Sequence, residues 1–255
     1  METRKCGRCG AELKVIKKAY VPFLGRDFYY LEECENCKRI EQQAKADNLA
    51  IEAQRLLKES NIPKKYKDIS FDNLKAFSPS HLNAINRCKS YCSIAKKAMN
   101  KGYGIYMYGR EGSGKTTIMS CMIKELTSQG YSCYINNMVE IKTLLYDKGL
   151  TIDFLSTVDF LFLDDIGTER YIVGDGQDTW TNEKIYEFIN KRNNDNRPTI
   201  FSSNLDYLKL VDRGLLTKTT DRIAEMSSRV LEIKMDKSLR LMSKEEMTEL
   251  EVKGE

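Results

Sequence analysis

The chain has 255 residues, with 41 Lys and Arg against 37 Asp and Glu and a formal charge of +4. That length accommodates one α/β domain with a sizeable core plus a small module. No apolar run reaches the roughly 18 residues of a membrane span, and the charged start Met1-Glu2-Thr3-Arg4-Lys5 leads into no apolar stretch, so the reading is a cytoplasmic chain with no membrane partner and no signal peptide. The mild positive balance permits nucleic-acid binding without arguing for it, and a single histidine, His81, leaves little for histidine-based catalysis.

The first elements surround cysteines. Cys6-Gly7-Arg8-Cys9 and Cys34-Glu35-Asn36-Cys37 are two C-x₂-C pairs 24 residues apart. Four thiolates in two tight turns suit tetrahedral Zn²⁺, and Gly7 and Gly10 relieve the backbone there. A closed Cys₄ set leaves no open coordination position, so the expected metal is structural. Between the pairs, 13–20 and 26–31 read as strands joined at Pro22-Phe23-Leu24-Gly25, a zinc-ribbon outline. The rival, a redox pair, lacks the βαβ context it requires. Cys88, Cys92, Cys121 and Cys133 read as small buried apolar groups.

Residues 39–60 form a helical pattern that Asn61-Ile62-Pro63 ends, and 61–79 read as an irregular linker closed by Ser78-Pro79. The predicted division is therefore a Cys₄ module with its linker helix over 1–60, the linker over 61–79, and a main domain over 80–255. In that domain a helix is expected over 81–100, with His81 exposed at its start. Then follow strand 104–108, helix 118–129, strand 131–135, helix 138–147, strand 158–163, helix 179–194 and strand 199–203. Strands alternating with helices predict a mostly parallel sheet covered on both faces.

The loop after strand 104–108 is Gly109-Arg110-Glu111-Gly112-Ser113-Gly114-Lys115-Thr116, followed by Thr117, and it satisfies G-x-x-x-x-G-K-[ST] between a strand and a helix. Its glycines let backbone N–H groups curl inward around phosphate oxygens beside the positive end of the helix. Lys115 is expected to reach the β/γ-phosphates, and Thr116 to place its hydroxyl on Mg²⁺. Strand 158–163 runs into Asp164-Asp165. Ligands gather at the carboxyl ends of parallel strands, so Asp164 is expected to hold Mg²⁺ through water and Asp165 to orient or polarise the attacking water. Asn204, ending the strand Thr199-Ile200-Phe201-Ser202-Ser203, is placed to sense the γ-phosphate. Arg222 and Arg229 are candidates for an arginine supplied across a subunit boundary.

Taken together, the P-loop, Leu163-Asp164-Asp165-Ile166-Gly167, Trp180 with Asn182-Glu183-Lys184-Ile185-Tyr186-Glu187, Arg197 to Asn204, and Asp221-Arg222-Ile223 resemble the DnaC/DnaI-type helicase loaders of the AAA+ ATPases. The lead-in Ile62-Pro63-Lys64-Lys65-Tyr66 to Phe71 is similar to that of loaders and of IstB transposition ATPases. The resemblance covers about residues 61–240. It implies an AAA+ P-loop core binding ATP and Mg²⁺ through Lys115, Thr116, Asp164 and Asp165, with Asn204 as sensor 1 and Arg222 as the arginine finger. It also implies ATP hydrolysis, self-association on ATP binding, and delivery of a DnaB-type replicative helicase hexamer onto single-stranded DNA, with residues 1–60 gripping the helicase. Two features depart from the family pattern. Only about 25 residues follow Arg229, implying a short or absent lid, and 171–177 reads as an inserted loop. An IstB-like transposase helper and a nucleotide-bound adaptor without turnover are the alternative functions. Lys209 and Lys218 are candidates for a DNA-facing surface, against the default of solvated lysines.

Overall fold

The computed structural model describes residues 3–146, 152–167, 176–213, 215–249 and 251. The chain divides into two compact units, Met1–Glu52 and Ala53–Glu255.

The first unit is a three-stranded antiparallel sheet in the order β1-β2-β3, formed by β1 (Thr3–Lys5), β2 (Glu12–Val21) and β3 (Arg26–Leu31), and it ends within the helix α1 (Glu35–Glu59). Alternation of apolar and charged residues made β2 and β3 legible; β1 is too short to carry a period. The hairpin reverses through one 3₁₀ turn, Pro22–Leu24, closed by Gly25 at φ 62°. A left-handed residue is needed there, and glycine supplies it without a Cβ clash. Among the described residues 3–52, Leu13 is the one apolar side chain that is buried.

The second unit carries, in chain order, α2 (Pro79–Ser93), α3 (Ala95–Lys101), β4 (Gly104–Tyr108), α4 (Lys115–Ser128), β5 (Cys133–Asn137), α5 (Met138–Tyr146), α6 (Ile152–Thr157), β6 (Phe160–Ile166), α7 (Gly176–Asn194), β7 (Thr199–Ser203), α8 (Thr217–Met226), β8 (Ser227–Glu232) and α9 (Lys244–Glu249). The five strands form one parallel sheet in the order β5-β6-β7-β4-β8. Side chains alternate across it. Ile105, Met107, Phe160, Phe162 and Ile200 enter a core with α2, α3 and α4. Tyr106, Leu161, Leu163 and Phe201 enter a second core with α7 and α8. Three layers result, and all five strand ends that carry polar residues emerge at one edge. Gly104 permits the close approach of β4 to β7, since a Cβ there would lie 2.1 Å from the Thr199 carbonyl oxygen.

Three local expectations change. The single helix over 81–100 is two, broken at Ile94 (φ −109°, ψ 24°), where Ser93 Oγ donates back to the Ser90 carbonyl and competes with the helical ladder. β8 was not foreseen, because an edge strand with mostly polar outer positions lacks an apolar signature. His81 is not exposed. Pro79 and the Ser78 cap set the first turn of α2 so that His81 points inward and is 1% exposed. The loop read at 171–177 lies mostly outside the described residues, and the helix expected to reach 147 is described to Tyr146.

Candidate functional site

The P-loop leaves β4 and enters α4 through Gly112 (φ 73°) and Gly114 (φ 89°), both left-handed. Neither position has room for a side chain: a Cβ on Gly112 would meet Ser238 Oγ, and one on Gly114 would lie 2.9 Å from His81 Nε2. Lys115, only 5% exposed, donates from Nζ to the carbonyls of Gly109 (2.7 Å) and Arg110 (3.1 Å) and to Asn204 Oδ1 (2.9 Å). These three partners are all neutral. Burial holds the ammonium below the usual lysine range, with Asp165 and Asp164 pulling the other way. A buried cation satisfied only by neutral oxygens is suited to an anion, and the inward-turned loop around it suits a phosphate chain.

β6 brings the two aspartates to the same edge. Thr116 Oγ1 donates to Asp164 Oδ2 at 2.8 Å, and Ser202 Oγ donates to Asp164 Oδ1. Ser202 Oγ also accepts from the Asp165 backbone N–H (3.1 Å), at the point where the β6–β7 register breaks between Leu163 and Ile166. Asp165 takes a left-handed φ of 54° in this bulge. The bulge separates the carboxylates by role: Asp164 faces Thr116, while Asp165 lines the cleft over the P-loop. Burial first, then the Asp164 charge, raises the Asp165 pKa. The Thr116 hydroxyl and the Asp164 carboxylate form an oxygen set suited to Mg²⁺.

The cleft has a volume of about 410 Å³ and is lined by the P-loop together with Asp165 and Asn204. Lys65, Tyr66, Leu239 and Arg240 complete it. The stretch after β8 reaches the cleft by main-chain ties: Ile233 N–H donates to the Tyr108 carbonyl (2.8 Å), and Leu239 N–H to that of Gly112 (2.9 Å). Arg110 donates to the Asp236 carbonyl. The sequence reading missed Arg240, a lone arginine in a polar stretch, and Ser202, a small polar residue inside an apolar strand. The alternation of β7 gives the sheet face of Ser202, but its place beside β6 follows only from the strand order.

Other candidates lie elsewhere. Arg222, on α8, is paired with Glu225 and does not line the cleft. Arg229, on β8, donates to the Arg87 carbonyl of α2 at 2.7 Å and so ties strand to helix. Lys218 lies over the Tyr186 ring, 4.2 Å from its centroid, and Lys209 lines a separate hollow with Asp206 and Glu232. Cys88, Cys92, Cys121 and Cys133 are all buried; burial pushes the Cys88 thiol up to about 12 and Cys121 to about 11.

In the first unit the sulfurs of Cys6, Cys9, Cys34 and Cys37 all lie within 4.8 Å of one another. The Cys6–Cys37 separation is 3.6 Å and Cys9–Cys34 is 3.4 Å. The Cys6 turn is closed by Gly10 N–H to the Cys6 carbonyl, and Cys37 sits in the first turn of α1. The Ala11 backbone N–H is the chief cause drawing Cys9 down to about 6, while contact with Cys9 pushes Cys37 up to about 12. Four sulfurs this close cannot all ionise unless a cation lies among them, and a tetrahedral Zn²⁺ with bonds of about 2.3 Å fits the cluster.

No protein-family model matches the chain. It is 27% identical over 218 residues to the replicative helicase loader DnaI of Bacillus subtilis (strain 168), covering 80% of this chain and 65% of that protein. To the replicative helicase loader DnaC of Escherichia coli (strain K12) it is 24% identical over 170 residues, covering 63% of this chain and 66% of that one. The chain resembles the DnaC/DnaI-type helicase loaders. It spans just under two thirds of the length of these curated relatives. Among solved structures, the DnaC helicase loader superposes with a TM-score of 0.56 at 25% identity, over 68% of this chain and 100% of that one. DnaI superposes with a TM-score of 0.58 at 22% identity, over 71% and 95%. AMPPCP-bound DnaA from Aquifex aeolicus gives 0.56 at 20% identity, over 74% and 61%. The main domain has the AAA+ fold. Among the described residues no helix is long and apolar enough to cross a membrane.

Proposed function

We propose that the chain is an ATP-dependent loader of a DnaB-type replicative helicase, acting at single-stranded DNA. The observation that carries this reading is the presence at one sheet edge of two hydrogen-bonded pairs, Lys115 with Asn204 and Thr116 with Asp164, in a chain similar to loaders. Residues 109–117 hold the triphosphate, with Lys115 exchanging its carbonyl partners for phosphate oxygens. Thr116 and Asp164 hold Mg²⁺, which supplies charge neutralisation on the phosphates. Asp165 positions the lytic water, its raised pKa keeping its proton affinity closer to neutral. Asn204, already bonded to Lys115, changes partner with the state of the γ-phosphate.

Arg222 does not reach the cleft of its own chain, which suits a finger given to a neighbouring copy in an ATP-bound oligomer. The Cys₄ cluster holds Zn²⁺, and the unit it closes, followed by α1, grips the helicase. Turnover measured with the cognate helicase and single-stranded DNA tests the reading. Lys115→Ala is expected to lose nucleotide binding and to lower hydrolysis at least 100-fold, on the order expected for removing a main electrostatic contact. Undiminished turnover in that variant rejects the site.

A further inference from the structure

The β2–β3 hairpin, residues 12–31, carries four Lys and Arg against two carboxylates. Two of its aromatic rings lie uncovered on one face. Directly paired residues of an antiparallel ladder share a face, so Lys17 with Tyr30, Ala19 with Phe28 and Val21 with Arg26 lie on one side of β2–β3. On that face Phe28 is 47% and Tyr30 54% exposed, with ring centroids 6.4 Å apart. Ala19 is too small to cover the Phe28 ring opposite it. On the other face, Lys18 is paired with Asp27 at 2.9 Å. Among the described residues, Lys17 and Arg26 have no carboxylate partner.

We propose that this face of the β2–β3 hairpin is a stacking platform for single-stranded nucleic acid, with Phe28 and Tyr30 receiving consecutive bases and Lys17 and Arg26 the phosphates. Neighbouring exposed rings on a strand, flanked by unpaired cations, are the arrangement that binds single strands without reading sequence, because every base has a π-face. A purely apolar protein partner would leave the cations desolvated and unpaired. The inference goes beyond the loader reading, which assigns no nucleic-acid-contacting residue, and it requires no ATP turnover.

Anisotropy of a labelled oligo-dT with the full zinc-loaded chain, without nucleotide, tests it. Phe28→Ala/Tyr30→Ala is expected to weaken binding about tenfold or more. Lys17→Ala/Arg26→Ala is expected to reduce the slope of log affinity against log salt by roughly 1.4, two phosphates at about 0.7 each. Both rings are surface groups, and retained zinc in each variant shows that the unit is folded. Lys115→Ala is expected to bind the oligonucleotide like the parent. Absence of binding by the parent chain overturns the proposal, as does unchanged affinity in the zinc-retaining aromatic variant. Loss of binding in Lys115→Ala with unchanged hairpin variants also overturns it and assigns the DNA contact to the nucleotide-dependent core. Loss of helicase capture at unchanged oligonucleotide affinity overturns it too, making the face a protein dock.

Discussion

His81 shows how one side chain can couple the P-loop to the start of α2. Its Nδ1 accepts from the Phe77 backbone N–H (3.3 Å), so the neutral ring carries its proton on Nε2, which is buried beside Gly114 without a hydrogen-bond partner. Burial lowers its pKa to about 4 from 6.5. The unfolded chain therefore binds more protons between those values, and stability falls as pH drops from about 6.5 towards about 4, by up to ~3 kcal/mol from this residue. Urea denaturation of parent and His81→Phe across that range is expected to show a weaker pH dependence in the variant; parallel curves would remove the role. At Arg222 the expected outcome concerns kinetics. Arg222→Ala should retain ATP affinity and lose most stimulated hydrolysis, a fall of about 10³-fold if it serves as a finger. Titration of labelled nucleotide alongside turnover separates the two effects.

Elements are tied together at the edge opposite the cleft by a residue with no catalytic part. Arg192, in the last turn of α7, is fully buried and donates to the carbonyls of Leu155 (2.8 Å), Val158 (2.8 Å), Asp159 (3.2 Å) and Pro198 (2.7 Å) and to Thr199 Oγ1 (3.0 Å). It thereby joins the ends of α6 and α7 to the starts of β6 and β7. Burial drives its pKa down to about 9. Arg192→Leu would leave several buried carbonyls without donors, and a loss of about 3 kcal/mol or more is expected in urea unfolding. Arg192→Lys, which keeps a charge but not the planar fork, should lose less. Nothing in the sequence marked this arginine, because a helix-end arginine reads as solvated. By contrast β4, β6 and β7 were legible as apolar runs, since strands covered on both faces need apolar residues at nearly every position. β8, at the edge, needs them at few.

At the scale of the molecule, the two units rest on different physics. The second has two apolar cores flanking a parallel sheet; the first, among its described residues, buries only Leu13 of its apolar side chains and gathers four cysteines instead. Stripping metal with a strong chelator is expected to abolish amide protection in β2 and β3 while the main domain keeps its cooperative melt, as hydrogen exchange with calorimetry would show. Protection surviving metal removal would make the cluster dispensable.

Spacing alone marked the P-loop, the four cysteines, the paired aspartates and the alternation of strands with helices, because each depends on chemistry local in the chain: a tight turn, a two-residue knuckle, a strand end. Only tertiary structure decided that Lys115 and Asn204 share a hydrogen bond, that Ser202 braces both aspartate positions, that Arg240 reaches the cleft, and that His81 and Arg192 are buried. Those facts depend on which strands become neighbours. The order β5-β6-β7-β4-β8 sets residues 89 apart side by side, and no periodicity along the chain records that distance.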